Sequence, residues 1–238
     1  MHPDHDLSRT CREIPASLPH NALPMNSFAL AVQAALLLCI AGTAAAGPLE
    51  ITVLDKDGRP TPNAVVVVLA SGSGSPAAPR EMVINQQNMR FQPAVSLVAV
   101  GAKARFVNND AWEHHVRSSA AGATQFGTEG GFELRLDGKV EGKPAKSAEA
   151  VFDKAGPVLL GCHLHSSMRG FVYVTDSPWA GLTGTDGAVT LQVPNGPATI
   201  KVWHADQLID IAPQQTAVTD APAKATMQLS IVPRGRRI

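Results

Sequence analysis

Apolar side chains recur at every second position in short runs along this chain. Leu49, Ile51 and Val53 alternate with Glu50 and Thr52, Ala102, Ala104 and Phe106 with Lys103 and Arg105, and Ala198, Ile200 and Val202 with Thr199 and Lys201. A period of two sends successive side chains to opposite faces, so each run predicts a strand with one buried face and one solvated face. The runs are rich in Val, Ile, Leu, Phe and Thr and end in Gly, Pro, Asn or Asp, the composition that closes strands into turns. No segment holds the three-and-four spacing of apolar residues over the length of an amphipathic helix. Many short strands at even spacing predict an all-β, Greek-key β-sandwich with extra flanking strands.

The punctuation divides the chain. Residues 47–80 predict two strands around a turn at Asp57-Gly58, then a Gly/Ser/Pro-rich link, SGSGSPAAPR, which reads as flexible or as a long surface loop. Residues 81–176 hold the densest strand pattern. Two or three strands fall before Asp110, broken at Pro93 and Gly101; HHVRSS follows, then a Gly-rich loop over 120–131 with FELRL pairing after it. AEAVFDKAGPVLLGC reads as two strands turned at Gly156-Pro157, with GFVYVTD returning past their end. Residues 177–238 continue as strands with turn dipeptides at Asp186-Gly187 and Asn195-Gly196. They predict either extra strands on the sandwich or a small Ig-like module.

Residues 28–46, FALAVQAALLLCIAGTAAA, break the alternation with a continuous apolar run that ends in small residues. Ala44 and Ala46 satisfy the small-residue rule of signal cleavage before Gly47, so residues 25–46 predict a signal peptide and 1–24 an over-called start. A transmembrane anchor is the alternative for so long a run; the alanine-rich end and the Gly-Pro that follows favour cleavage, leaving no integral membrane span. Leu38, where a small residue would precede a lipidated Cys39, argues against a lipoprotein. The predicted location is therefore the periplasm.

Charge excludes some partners. With 20 Lys and Arg against 20 Asp and Glu the chain is neutral, so neither nucleic acid nor a polybasic membrane contact is implied. Export also alters the meaning of the cysteines. Cys11 and Cys39 fall in the removed part, and Cys162 is left alone in an oxidising compartment, where an odd cysteine is reactive, intermolecular or metal-bound.

Cys162 is not isolated chemically, because LLGCHLHSSMRGFVYV places His163, His165 and Met168 within six residues of it. A thiolate, an imidazole and a thioether at C-x-x-H-x-x-M spacing are soft donors suited to copper. A blue-copper site needs a second histidine, and RFVNNDAWEHHVRSS offers two. His114 is in phase with Val116, which should face the core, whereas His115 shares the phase of the solvent-facing Arg117. We therefore take His114 as the upstream donor, with His115 replacing it if the turn is bulged. Taken singly, a cysteine at a strand end is a small buried hydrophobe, Met168 a core filler, His163 a solvent-facing residue, His204 a strand-end histidine, and Trp112 and Trp203 packing residues.

Together these motifs resemble the cupredoxins, the small blue-copper proteins. NNDAWEHHV is similar to the plastocyanin-type segment that supplies the first histidine, and the span from Cys162 to Met168 has the short ligand-loop spacing of amicyanin. The wider pattern, with FQPAVSLVAVGAKARFVNND, FDKAGPVLLGC and VWH, resembles exported cupredoxin-domain proteins labelled methylamine-utilisation or plastocyanin-like, over roughly residues 82–176. Leu164 and Ser166 stand where the amicyanin loop has prolines, and His115 where plastocyanins have an asparagine.

The resemblance implies one copper ion held by His114, Cys162, His165 and Met168. It also implies a non-enzymatic electron carrier that meets larger redox proteins. A copper-delivery protein using Cys162, His163, His165 and Met168 is the alternative, and an Ig-like structural module whose histidines are incidental is a third reading.

Overall fold

The computed structural model describes residues 45–231 except 124, 127, 128 and 208. Among the described residues there is no helix, and the strands form four sheets. Alternation becomes burial directly. In β1 (Ala46–Leu54) Leu49, Ile51 and Val53 are fully buried, and the residues between them are half-buried. In β2 (Val65–Ala70) the valines are buried on both faces, Val66 and Val68 in one core and Val65 and Val67 in another, which is why VVVV shows no alternation.

The strands before residue 81 and after residue 176 pair with one another. One sheet runs β13 (Ala188–Pro194), β1, β16 (Ala223–Gln228). The facing sheet runs β12 (Trp179–Leu182), β2, β14 (Gly196–Trp203), β15 (Gln214–Val218). Leu49, Ile51, Val66, Val68, Val193, Ile200 and Leu229 fill the space between these strands. The two flanks of the chain thus close a sandwich of their own.

Residues 81–176 form a second sandwich. One sheet is ordered β4 (Arg90–Gln92), β3 (Glu81–Gln87), β6 (Ala102–Asn108), β9 (Lys146–Phe152). The other is ordered β5 (Val95–Ala99), β11 (Arg169–Thr175), β10 (Gly156–Cys162), β7 (His114–Ser118), β8 (Glu133–Leu136). Ile84, Phe91, Phe106, Val116, Leu160 and Val172 make its core, and Cys162 and Met168 belong to the same cluster. Each fully buried large apolar side chain of this kind contributes about 1.5–3 kcal/mol. A third cluster joins the two bodies: Val65 and Val67 of β2 pack with Leu97 and Ala99 of β5, and Trp203 stacks edge-on near Phe171.

Four expectations change. β9 and β10 are not a pair turned at Gly156-Pro157, because the link is 153–155 and the strands lie in opposite sheets, β9 on β6 and β10 between β11 and β7. Asn195-Gly196 likewise joins strands of different sheets. Residues 81–108 hold four strands, since the turn at Asn88 and Met89 creates β4. Trp112 is 45% exposed and does not pack in a core. The 1–24 extension and residues 25–44 of the targeting segment lie outside the described residues, while Ala46 opens β1 opposite Pro194.

Candidate metal centre

Three loops at one end of the second sandwich bring the chemistry together. β10 delivers Cys162 as its last residue, opposite Val116 of β7. The chain then turns back within six residues: the Cys162 N–H donates to the Met168 carbonyl at 3.2 Å, and the Met168 N–H donates to the His165 carbonyl at 2.9 Å. The loop is thereby tied at its ends before β11 begins. β7 has the alternating burial read from its sequence, His114, Val116 and Ser118 inward and His115 and Arg117 half-exposed. His114, Cys162 and Met168 are 0%, 2% and 1% exposed, and His165 is half-buried.

The ring nitrogens face the sulfur. Cys162 Sγ lies 3.6 Å from His114 Nδ1 and 3.4 Å from His165 Nδ1, and the two rings stand edge to face with centroids 5.0 Å apart. Among the described residues, these three donors form the group of such side chains whose ligand atoms all lie within 4.8 Å of one another. A thiol carries a single hydrogen, so it cannot donate to both nitrogens. With the sulfur deprotonated, a thiolate and two imidazole nitrogens converge, a donor set that suits a cation.

Geometry agrees. A tetrahedral first-row ion with bonds of about 2.3 Å to sulfur and about 2.0–2.1 Å to nitrogen sets those atoms about 3.5–3.6 Å apart. The group could hold a copper ion. Met168 is buried in the same core cluster and joined to Cys162 through the backbone.

Asp110 decides which nitrogen of His114 is free. Its Oδ2 lies 2.9 Å from His114 Nε2, and an ionised carboxylate only accepts. Nε2 must therefore carry the proton, and the Nδ1 lone pair is left facing Cys162. Carboxylate-oriented imidazoles of this kind are a recurrent support for metal-binding histidines.

Burial opposes the charge on Asp110. Hydrogen bonds from His114 and from the Met89 and Asn88 N–H groups outweigh it and hold the carboxyl below its ordinary value. The two backbone bonds are 2.7 Å from Asn88 to Oδ1 and 3.0 Å from Met89 to Oδ2. Asn88 and Met89 both have φ of 55°, the left-handed conformation that a two-residue type I′ hairpin turn requires.

The loop that carries Asp110 is itself pinned. The Asp110 N–H donates to Asn108 Oδ1 at 2.9 Å, and Asn108 Nδ2 lies 2.8, 3.1 and 3.0 Å from the carbonyls of Trp112, Leu136 and Asp137. Gly138 runs so close to this loop that a Cβ there would sit 2.1 Å from the Ala111 carbonyl oxygen. Only glycine permits that approach.

The other histidines stand apart. His115 points outward and lies 3.3 Å from Glu133 Oε2. His163 is exposed. His204 follows β14 and accepts the Asp206 N–H on its own Nδ1. Sequence reasoning missed Asp110, which read only as part of a polar turn; an acid four residues before an inward histidine was the available signal. It also missed Gln86, fully buried in the inward phase of β3 with neither amide atom hydrogen-bonded among the described residues.

No protein-family model and no curated protein matches this chain. Among solved structures it is similar to a purple cupredoxin from Nitrosopumilus maritimus, at 19% identity and TM-score 0.33, over 40% of this chain and 99% of that one. It is similar to an oxidized mutant of amicyanin at 20% identity and TM-score 0.33, over 46% of this chain and 98% of that one. A copper-containing nitrite reductase from Thermus scotoductus is similar at 20% identity and TM-score 0.32, over 52% of this chain and 28% of that one.

Proposed function

We propose that this chain is an exported type 1 copper protein, working in the periplasm, that carries single electrons between redox partners. The observation that carries the reading is the buried convergence of Cys162 Sγ with Nδ1 of both His114 and His165. His114, Cys162 and His165 would hold the ion, with Met168 as a weak fourth donor. Copper bound by a thiolate, two imidazoles and a thioether supplies a one-electron couple between Cu(I) and Cu(II).

The chain's own contribution is rigidity. Asp110 holds His114 in one tautomer, and the hydrogen bonds from Cys162 to Met168 and from Met168 to His165 hold the loop, so the donors change little when the charge changes. His165 is the least buried of the donors. Around this end, Leu164, Trp112 and Met89 are 52%, 45% and 44% exposed. Apolar side chains exposed on three separate loops suit transient contact with a partner protein.

The delivery reading draws on His163 as a donor. That residue is exposed, its ring centroid 5.5 Å from that of His115, which favours the carrier. Cyclic voltammetry of the copper-loaded protein separates the two. A carrier shows a reversible one-electron wave and keeps its metal through repeated cycles, whereas copper held only as Cu(I) and lost on oxidation transfers the assignment to delivery.

A further inference from the structure

The outer face of the same two strands carries another set of donors. His115 follows His114 directly within β7, so alternation turns it to the side of the sheet opposite the buried cluster, and His163, the first residue after β10, is exposed beside it. They are cross-strand neighbours: the His163 N–H donates to the His115 carbonyl at 2.8 Å, which fixes the spacing of the two backbones. Their ring centroids are 5.5 Å apart, tilted at 58°. Two imidazoles on one metal, each bonded at about 2.0–2.1 Å, place their centroids about 4.5–5.5 Å apart. The buried pair, His114 and His165, is at 5.0 Å.

A carboxylate completes the set. Glu133, at the start of β8, places Oε2 3.3 Å from His115 Nε2. Two cations stand nearby, Arg135 and Arg117, the latter directly opposite Glu133 in the strand register. Arg135, opposite His115 on β8, gives Nη2 to Glu113 at 2.7 Å, and Arg117 lies over the Phe126 ring at 4.4 Å.

We infer that His115, His163 and Glu133 form a surface site for a divalent borderline cation, Cu(II) or Zn(II), distinct from the buried cluster. Two imidazoles and a carboxylate are the donor class these ions take, and Cu(II) binds most tightly of the first-row divalent series. The donors are not already closed on a point. His163 and Glu133 are exposed, and exposed side chains change rotamer within nanoseconds, so closure needs only their rotation while His115 stays in place. The inference does not rest on the electron-carrier reading, because its donors and its sheet face are different.

Zinc stoichiometry of the reduced, metal-free protein tests it with a metal that has no redox chemistry. The wild-type protein should bind two equivalents of Zn(II). His163→Ala and His115→Gln, both altered at positions outside the core, should each bind one. Cys162→Ser should also bind one, with the fold checked by far-UV circular dichroism. Glu133→Gln should weaken the outer equivalent without removing it. Two equivalents retained in both His163→Ala and His115→Gln overturn the inference, as does a wild type that binds one equivalent and loses it in Cys162→Ser. One equivalent lost in His163→Ala and kept in Cys162→Ser supports the outer site while removing the buried one.

Discussion

Replacing Asp110 by Asn changes one atom and tests the linkage between the β3–β4 turn and the buried histidine. Asp110 accepts three N–H groups, from His114 Nε2, Asn88 and Met89. Asparagine has one acceptor oxygen, so its NH2 must face a donor. If it takes the Oδ2 position, the Met89 N–H is stranded, Nε2 becomes the acceptor and the proton moves to Nδ1, the nitrogen aimed at Cys162. If it takes the Oδ1 position, the Asn88 N–H is stranded.

A buried donor left without an acceptor costs about 1–3 kcal/mol, and the surviving bonds fall from charge-assisted to neutral strength. The sum is a loss of about 2–4 kcal/mol by the same reasoning. At about 2–4 °C per kcal/mol for a chain of this size, the melting temperature of the metal-free protein should drop by about 5–15 °C. Copper affinity should fall about 10–100-fold, the usual cost of removing support from a metal-binding histidine. Thermal unfolding followed by circular dichroism, together with competition against a copper chelator, measures both. An Asp110→Asn protein that melts with the wild type and binds copper equally well refutes the role given to this carboxylate.

Three further outcomes are expected. Gln86→Met, close in volume, should raise stability by about 1–3 kcal/mol, because it removes a buried amide without partners among the described residues; a loss in denaturant titration would mean that the amide is satisfied. Met89→Gly should stabilise by about 0.5–1 kcal/mol, since glycine adopts the left-handed φ without strain; a lower midpoint in urea would contradict the strain argument. His204 is held below its ordinary value by burial, opposed by the Asp206 carboxylate and a hydrogen bond to the Pro62 backbone. The unfolded chain therefore takes up this proton first, so the stability is present above pH 6.5 and lost as pH falls through 6.5 towards the folded value. His204→Gln should flatten that part of the stability profile, and an unchanged slope would rule the group out.

Alternation carried much of the architecture in readable form. It marked the strands, and it turned His114 inward and His115 outward, as the burial of β7 shows. Strand partnership was not readable. Leu49 pairs in parallel with Ala223, and no local pattern ties residues so far apart. A dipeptide such as Asn195-Gly196 reports that the chain turns, not whether the next strand is a hydrogen-bonded neighbour or lies across the sandwich.

Around the candidate metal centre, the meeting of Cys162 and His165 was legible because their spacing is local. Asp110 was not, because its meaning depends on a turn 22 residues earlier meeting its carboxylate. Trp112 misled for a related reason: an aromatic in sequence suggests a core, but the Asn108 network fixes its backbone and leaves the residue 45% exposed.

The most direct test of the central claim is the visible absorption spectrum recorded as Cu(II) is added to the metal-free protein lacking residues 1–46. A buried thiolate bonded to Cu(II) should give an intense blue or green band that saturates at one equivalent and bleaches with a mild reductant. The band should vanish in Cys162→Ser and His114→Ala and survive in His115→Ala. A wild-type protein that takes up Cu(II) without that band, or a band that persists in Cys162→Ser, contradicts the account.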